Sequence, residues 1–293
     1  MPRIAANGIE IEYETFGASG NPPLLLIMGL AAQMILWEDD FCSAIADRGF
    51  SVTRFDNRDI GKSTWITEGG VPDVGAALIA SMSGQKADAP YTLSDMAADT
   101  AALLDGLGIR SAHIVGASMG GMIAQTLAIE HPAKVRTLTS IMSTTGNPAL
   151  PPATPEAMAV LLSPPVTGRE ENIERAVSVF RTIGSPGFAF DEAMVRDIAG
   201  RSFDRGFHPE GVARQLVAIL ASGNRKERLA SVRVPTLVIH GNKDPLVPFE
   251  GGVDTAESIP GAKLVEIDGM GHDFPRAVWP RIIDEICALA ARA

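Results

Sequence analysis

Apolar positions along this chain fall into short unbroken runs separated by longer amphipathic stretches, and that alternation predicts the fold. Leu24-Leu25-Leu26-Ile27-Met28, entered through Gly20-Asn21-Pro22-Pro23, carries no polar alternation, the pattern of a strand buried on both faces. Residues 51–55, 112–115, 135–142, 235–240 and 263–267 read as further strands, and helical spacing marks 35–48, 93–108, 119–131, 250–258 and 277–291. The N-terminus differs. Arg3-Ile4-Ala5, a turn at Asn7-Gly8 and the strictly alternating run from Ile9 to Phe16 predict a hairpin at an antiparallel edge, its glutamates facing solvent. Strands alternating with helices imply right-handed crossovers and an α/β class: a mostly parallel, eight-stranded twisted sheet flanked by helices.

Two stretches break the rhythm. Residues 65–90 hold Gly69-Gly70, Gly75 and Gly84 around the apolar segment 74–82 and read as an excursion on the side of the sheet where a ligand would bind. From 144 to 232 a proline-rich approach is followed by amphipathic helices near 170–182, 191–201 and 209–221. An insertion after a strand's C-terminal end lies over the sheet as a helical cap. The expected organisation is a core domain of residues 1–143 and 233–293 with a cap of residues 144–232.

Composition narrows the class. With 46% hydrophobic against 20% charged residues, 293 residues are enough for a buried sheet covered on both faces. A net charge of −10 argues against nucleic acid as a partner, because a polyphosphate backbone repels such a surface. No apolar run reaches the length of a membrane span, and the N-terminus lacks the basic and apolar regions of a signal peptide. The two cysteines, Cys42 and Cys287, fall in two different predicted helices and read as small buried hydrophobes. Together these predict a cytoplasmic protein without membrane insertion; the sequence leaves a homodimer open.

The chemistry gathers around Gly116-Ala117-Ser118-Met119-Gly120, a G-x-S-x-G pattern between a strand-like run and a helix-like run. A strand-to-helix turn this sharp leaves no room for Cβ atoms at its flanks, hence glycine at 116 and 120, and it projects the serine hydroxyl from the C-terminal edge of the sheet. A serine needs a general base, and the base needs a carboxylate to fix its tautomer. Among five histidines, His113 sits at the wrong end of its strand, His131 ends the helix that follows Ser118, His208 falls in the cap and His240 ends a strand. His272, in Gly269-Met270-Gly271-His272 after the last strand, remains as the base. Asp244, just past residues 235–240, supplies a carboxylate in the order Ser…Asp…His, although an Asp before Pro245 also suits a simple Asx-turn. The loop after residues 135–142 has no carboxylate to offer, and Asp268 and Asp273 stand too near His272 in sequence to orient it. An oxyanion hole requires backbone N–H donors: Met119, which follows the serine, and Leu30, behind Gly29 in the loop after 24–28, with Ala31 the weaker choice for the second.

These motifs resemble the α/β-hydrolase family over essentially the whole chain. Phe55-Asp56-Asn57-Arg58-Asp59-Ile60-Gly61-Lys62-Ser63 is similar to the family's D-x-R-x-x-G-x-S loop, and the runs Tyr91 to Asp99, Gly241 to Asp244 and Gly271-His272 stand where the family has its signatures. Within the family the chain most resembles bacterial esterases of the aclacinomycin methylesterase type, which share the Leu-Leu-x-Met-Gly run. Met28-Gly29 stands where most of the family carries His-Gly, so a histidine that often buttresses the oxyanion loop is replaced by a thioether. The resemblance implies a serine carboxylic-ester hydrolase acting through an acyl-enzyme on small-molecule esters, short- to medium-chain or methyl, without a cofactor or metal. Gly29, Met34, Met122, Met158, Leu161, Phe180 and Phe188 are candidates to line its pocket. The same three side chains also support lactone, thioester or carbon–carbon hydrolysis, acyl transfer and perhydrolysis; a ligand-binding protein on the same scaffold is the other class.

Overall fold

A computed structural model describes residues 1–293. Its strands are β1 (Arg3–Ala6), β2 (Ile9–Phe16), β3 (Pro23–Ile27), β4 (Ser51–Phe55), β5 (Ala112–Ala117), β6 (Val135–Ile141), β7 (Thr236–Gly241) and β8 (Lys263–Ile267). They form one eight-stranded sheet in the order β1-β2-β4-β3-β5-β6-β7-β8. β1 and β2 pair antiparallel, as do β2 and β4, and every other neighbour is parallel. Asn7 and Gly8 turn the first hairpin with φ of 49° and 79°, the left-handed pair that two-residue hairpin loops require.

The helices are α1 (Asp39–Ala46), α2 (Val74–Met82), α3 (Leu93–Gly106), α4 (Met119–Glu130), α5 (Pro155–Leu161), α6 (Arg169–Ile183), α7 (Glu192–Arg205), α8 (Pro209–Ser222), the single-turn α9 (Lys226–Leu229), α10 (Phe249–Ser258) and α11 (Trp279–Ala290). Strand periodicity sorts the apolar runs onto two faces. Leu25 and Ile27 of β3 join Ile114 of β5 beneath α3 and α4, while Leu24, Leu26 and Val115 face α1 and α11. All six of these strand side chains are at most 1% exposed, which is why β3 shows no polar alternation. Burying each contributes about 1.5–3 kcal/mol.

The helix expected over 35–48 is broken. A 3₁₀ turn covers Met34–Leu36, Glu38 is extended at φ −53° and ψ 148°, and the α-helix starts only at Asp39. Trp37 keeps helical spacing because it fills the core from that turn, its ring 5.5 Å from Phe41 and 4.9 Å from Phe274. The solvent-facing expectation also fails for Glu12, which is 2% exposed and lies 3.0 Å from Arg205 at the end of α7. Glu10 is exposed, as alternation predicts; Glu12 is covered by a helix nearly two hundred residues away in sequence.

Five helices lie between β6 and β7. Their ends bond to loops at the C-terminal edge of the sheet: Thr154 N–H to the Pro245 carbonyl at 2.8 Å, His272 N–H to Ile183 at 2.7 Å, Gly187 N–H to Gly269 at 2.9 Å. The segment 74–82, read from sequence as the apolar part of an excursion, is the helix α2; its Ala77 clusters with Val217 of α8 and with Ala87, which follows α2. No helix is long and apolar enough to cross a membrane.

Candidate active site

Ser118 connects β5 to α4 with φ 55° and ψ −121°, a strained backbone that the surrounding packing must hold. A Cβ on Gly116 would stand 2.1 Å from the Gly120 carbonyl oxygen, and one on Gly120 would stand 2.1 Å from that of Ile27. Both are backbone collisions that no side-chain movement relieves. The turn is tied from both sides, since Ser118 N–H donates to the Ile141 carbonyl at 2.9 Å and the Ser143 hydroxyl donates to the Ser118 carbonyl at 2.8 Å.

From Ser118 a chain of short contacts runs to a buried carboxylate. Ser118 Oγ lies 2.9 Å from His272 Nε2, and His272 Nδ1 lies 2.7 Å from Asp244 Oδ2. The second carboxylate oxygen, Oδ1, accepts from the Leu246 and Val247 amides at 2.9 Å each. The Asx-turn and the partner of the histidine are therefore one residue, with one oxygen for each task. Burial works against charge on Asp244, but the facing His272, together with hydrogen bonds from His240 and His272, outweighs it and holds the carboxyl well below its ordinary range. An ionised carboxylate there fixes the tautomer with Nδ1 protonated, which leaves Nε2 to accept from the serine.

The other histidines lie elsewhere. His113 meets Thr137 Oγ1 at 3.0 Å near the start of β5, and burial pushes its pKa down to about 4. His131 closes α4, and His208 precedes α8 with its ring stacked 4.2 Å from that of Trp65. His240, fully buried, donates through Nε2 to the Val247 carbonyl at 2.8 Å and stands 3.5 Å from Asp244, so it packs behind the carboxylate loop. Asp273 bonds Ser185 and Asp268 bonds Asn242, leaving Asp244 as the partner of the His272 ring.

Two amides belong to the segments that meet at Ser118: that of Met119, which follows it, and that of Leu30, which follows Gly29. Met119 is the first residue of α4, so its N–H has no carbonyl one turn earlier within the helix. In the loop after β3, Gly29 packs so tightly that a Cβ there would lie 3.1 Å from that of Ser118. Leu30 N–H has no acceptor in the protein, whereas Ala31 N–H is taken by Gln215 Oε1 at 3.1 Å. Of the two amides weighed from sequence in this loop, only the Leu30 N–H is open.

The apolar pocket candidates scatter more. Met34 is fully buried and its amide donates to Asp56 Oδ1 at 2.8 Å; Met122 belongs to the core under α3 and α4. Met158 and Leu161 sit half-buried on α5 and Phe180 on α6. Phe188 packs against the core cluster of α1 and α11.

Residues not singled out individually from sequence hold the loop after β3 in place. Asn57 Nδ2 donates to the Met28 carbonyl at 2.9 Å, and Gln33 Nε2 donates to the Ser202 and Gly206 carbonyls at 2.7 and 2.9 Å. Asn57 lies in the recognised Asp-Arg-Gly-Ser loop, but nothing in a linear pattern marks Gln33 or Gln215 as its companions.

The geometry can perform nucleophilic chemistry on a carbonyl: a serine within reach of a base, an orienting carboxylate and open amide donors. Comparison with known proteins agrees in fold. The chain is 31% identical over 97% of its length, and 96% of the relative's, to the rhodomycin D methylesterase DnrP of Streptomyces peucetius. It is 27% identical, over 90% of the chain and 85% of the relative, to the 2-hydroxy-6-oxononadienedioate/2-hydroxy-6-oxononatrienedioate hydrolase of Burkholderia vietnamiensis. The enol-lactonase structure from Burkholderia xenovorans superposes with a TM-score of 0.71 at 22% identity, over 99% of this chain and 100% of that one. The alpha/beta hydrolase fold family matches residues 22–275, and the chain belongs to that family.

Proposed function

We propose that the protein is a serine carboxylic-ester hydrolase in which Ser118 is the nucleophile, His272 the general base and Asp244 its orienting partner. The observation that carries this reading is the continuous chain from Ser118 Oγ through His272 to Asp244, at 2.9 and 2.7 Å. Ser118 Oγ attacks the ester carbonyl carbon as its proton passes to His272 Nε2. The carbonyl oxygen becomes an oxyanion and settles on the Leu30 and Met119 amides. His272 then protonates the departing alcohol as the tetrahedral intermediate collapses to an acyl-serine. Water enters, gives a proton to His272 and its hydroxyl to the acyl carbon, and collapse returns the proton to Ser118 and releases the acid. Only side chains, backbone amides and water take part.

The substrate assigned is a short- to medium-chain ester, or a methyl ester of a bulky apolar acid. The methylesterase relative favours it. In this reading residues 144–232 form the cap that covers the ester, and α2 extends it.

The test is hydrolysis of p-nitrophenyl esters from acetate to palmitate, and of aromatic methyl esters, by the wild type and by Ser118→Ala. A serine-reactive fluorophosphonate is run in parallel with intact-mass readout. Turnover that peaks at short or medium chains, vanishes in the variant and coincides with a single adduct supports the proposal. An adduct without ester turnover would move the reaction to another acyl or carbon–carbon substrate. Absence of both would overturn the assignment of the three residues.

A further inference from the structure

Beyond glycine, few residues of this chain have a left-handed backbone, and two of them face the same helix. Ala31, in the loop after β3, has φ 63°, and Asp59, in the loop after β4, has φ 68°. Both are held by consecutive residues of α8. Gln215 Oε1 accepts from Ala31 N–H at 3.1 Å, while Arg214 grips the Asp59 carboxylate through two contacts of 2.9 Å. Gln215 also donates from Nε2 to the Arg58 carbonyl at 2.8 Å, so its amide bridges the two loops. The helix could hardly come nearer: a Cβ on Gly211 would lie 2.1 Å from the Asp59 carbonyl oxygen. Gln215 is fully buried, and both its polar atoms are spent on these two contacts.

We propose that Gln215 is a positioning residue for the oxyanion hole, through which the inserted helices set the geometry of the reaction. This rests on the hydrolase reading above. By taking the Ala31 amide, Gln215 removes one competing donor and pins a strained residue, and the preceding peptide is thereby fixed with the Leu30 N–H open beside Ser118. Without it, the buried Arg58 C=O loses its partner, the N–H of the exposed Ala31 is released to solvent, and the left-handed Ala31 loses the contact that opposes its relaxation. The Leu30 donor then departs from the place where the oxyanion forms. Charge develops on that oxygen only in the transition state, so the loss falls on kcat rather than on substrate binding.

The experiment compares wild type with Gln215→Met, which keeps the volume and removes both hydrogen bonds. On the best p-nitrophenyl ester, kcat is expected to fall about ten- to a hundredfold with KM within about threefold, below the effect of deleting a donor outright. Affinity for a trifluoromethyl ketone, which forms an oxyanion on the serine, falls by the same factor, while affinity for the matching methyl ketone is unchanged. Val217→Ala is the control for mere destabilisation. It is a fully buried residue of the same helix, and it lowers the melting temperature without altering the ratio of the two ketone affinities. Should Gln215→Met not fold, Gln215→Asn, the same amide one methylene shorter, carries the same test. Unchanged kcat, or an equal weakening of both ketones, overturns the role of Gln215 while fluorophosphonate labelling of the wild type still stands. A wild type that neither labels nor turns over overturns the hydrolase reading itself.

Discussion

Asp244 divides its carboxylate: one oxygen meets His272 Nδ1 at 2.7 Å, and the other closes the turn through the amides of Leu246 and Val247. The two tasks can be separated by substitution. Asn at 244 keeps a carbonyl oxygen for the turn but places an amide opposite Nδ1, which favours the wrong tautomer of the histidine. Ester hydrolysis by Asp244→Asn is expected to drop about 10³- to 10⁴-fold, with a loss of stability at neutral pH from the missing carboxylate charge while the turn is kept. Asp244→Ala loses the turn as well, and two hydrogen bonds of about 1 kcal/mol each should appear as added destabilisation in urea titrations. If Asn and Ala at 244 melt alike, the turn contributes nothing.

The same carboxylate predicts a pH dependence of stability. Its folded pKa lies below the unfolded value near 3.8, burial being outweighed by His272 and by hydrogen bonds from His240 and His272. A depressed folded pKa means that the unfolded state binds the proton first. The stabilisation is therefore complete above about pH 5 and is lost as pH falls through 4 and below. Urea unfolding of the wild type and of Asp244→Asn at pH 7, 5, 4 and 3 measures it. The stability of the wild type relative to the variant is expected to stay constant down to pH 5 and to shrink below it. A difference that is flat across the series would contradict the assignment.

Ser118, Asp244 and His272 were legible in the sequence because each announces itself locally. Two glycines bracket the serine, a proline follows the aspartate, and glycines precede the histidine directly after a strand. The sheet was legible for a similar reason, since β3 and β5 lie in the middle of it and show unbroken apolar runs. What could not be read are pairings between distant segments. Gln215 and Ala31 are 184 positions apart, and Arg205 and Glu12 are 193 apart. Each of these side chains looks like an ordinary surface residue until its partner is known. The apolar segment 74–82 depends on a distant partner in the same way, since only the face presented by Val217 on α8 gives the helix it forms something to pack against.

Gly116 and Gly120 should not tolerate even alanine. Each added Cβ would stand 2.1 Å from backbone oxygen, and relief requires β3, β5 or α4 to move. We expect neither Gly116→Ala nor Gly120→Ala to give soluble folded protein. Gly8 is the contrasting case: its φ is 79°, but a Cβ there meets nothing within 4 Å. Gly8→Ala should cost only the left-handed strain of about 1–2 kcal/mol and leave turnover intact. Soluble expression with circular dichroism separates the two classes. A well-folded Gly120→Ala would mean that the turn is looser than its geometry implies.

Arg205 ends α7 and reaches back to the core, 3.0 Å from Glu12 and 3.0 Å from Asp56, with both carboxylates nearly inaccessible to solvent. Removing one member of a buried ionic group leaves the others charged and without compensation, at about 3–5 kcal/mol. Arg205→Met should therefore destabilise the protein far more than Arg201→Met one turn earlier, whose pairing with Asp197 is exposed and worth under about 1 kcal/mol. Asp56 also accepts from the amides of Met34 and Lys62, so the damage extends into the loop after β3. Arg205→Met is thus expected to combine a lower melting temperature with faster proteolysis between β6 and β7. Adding Glu12→Gln to Arg205→Met should recover part of the loss, because one buried charge is then gone. Failure of that second change to recover any stability would place the role of Arg205 in packing rather than in charge.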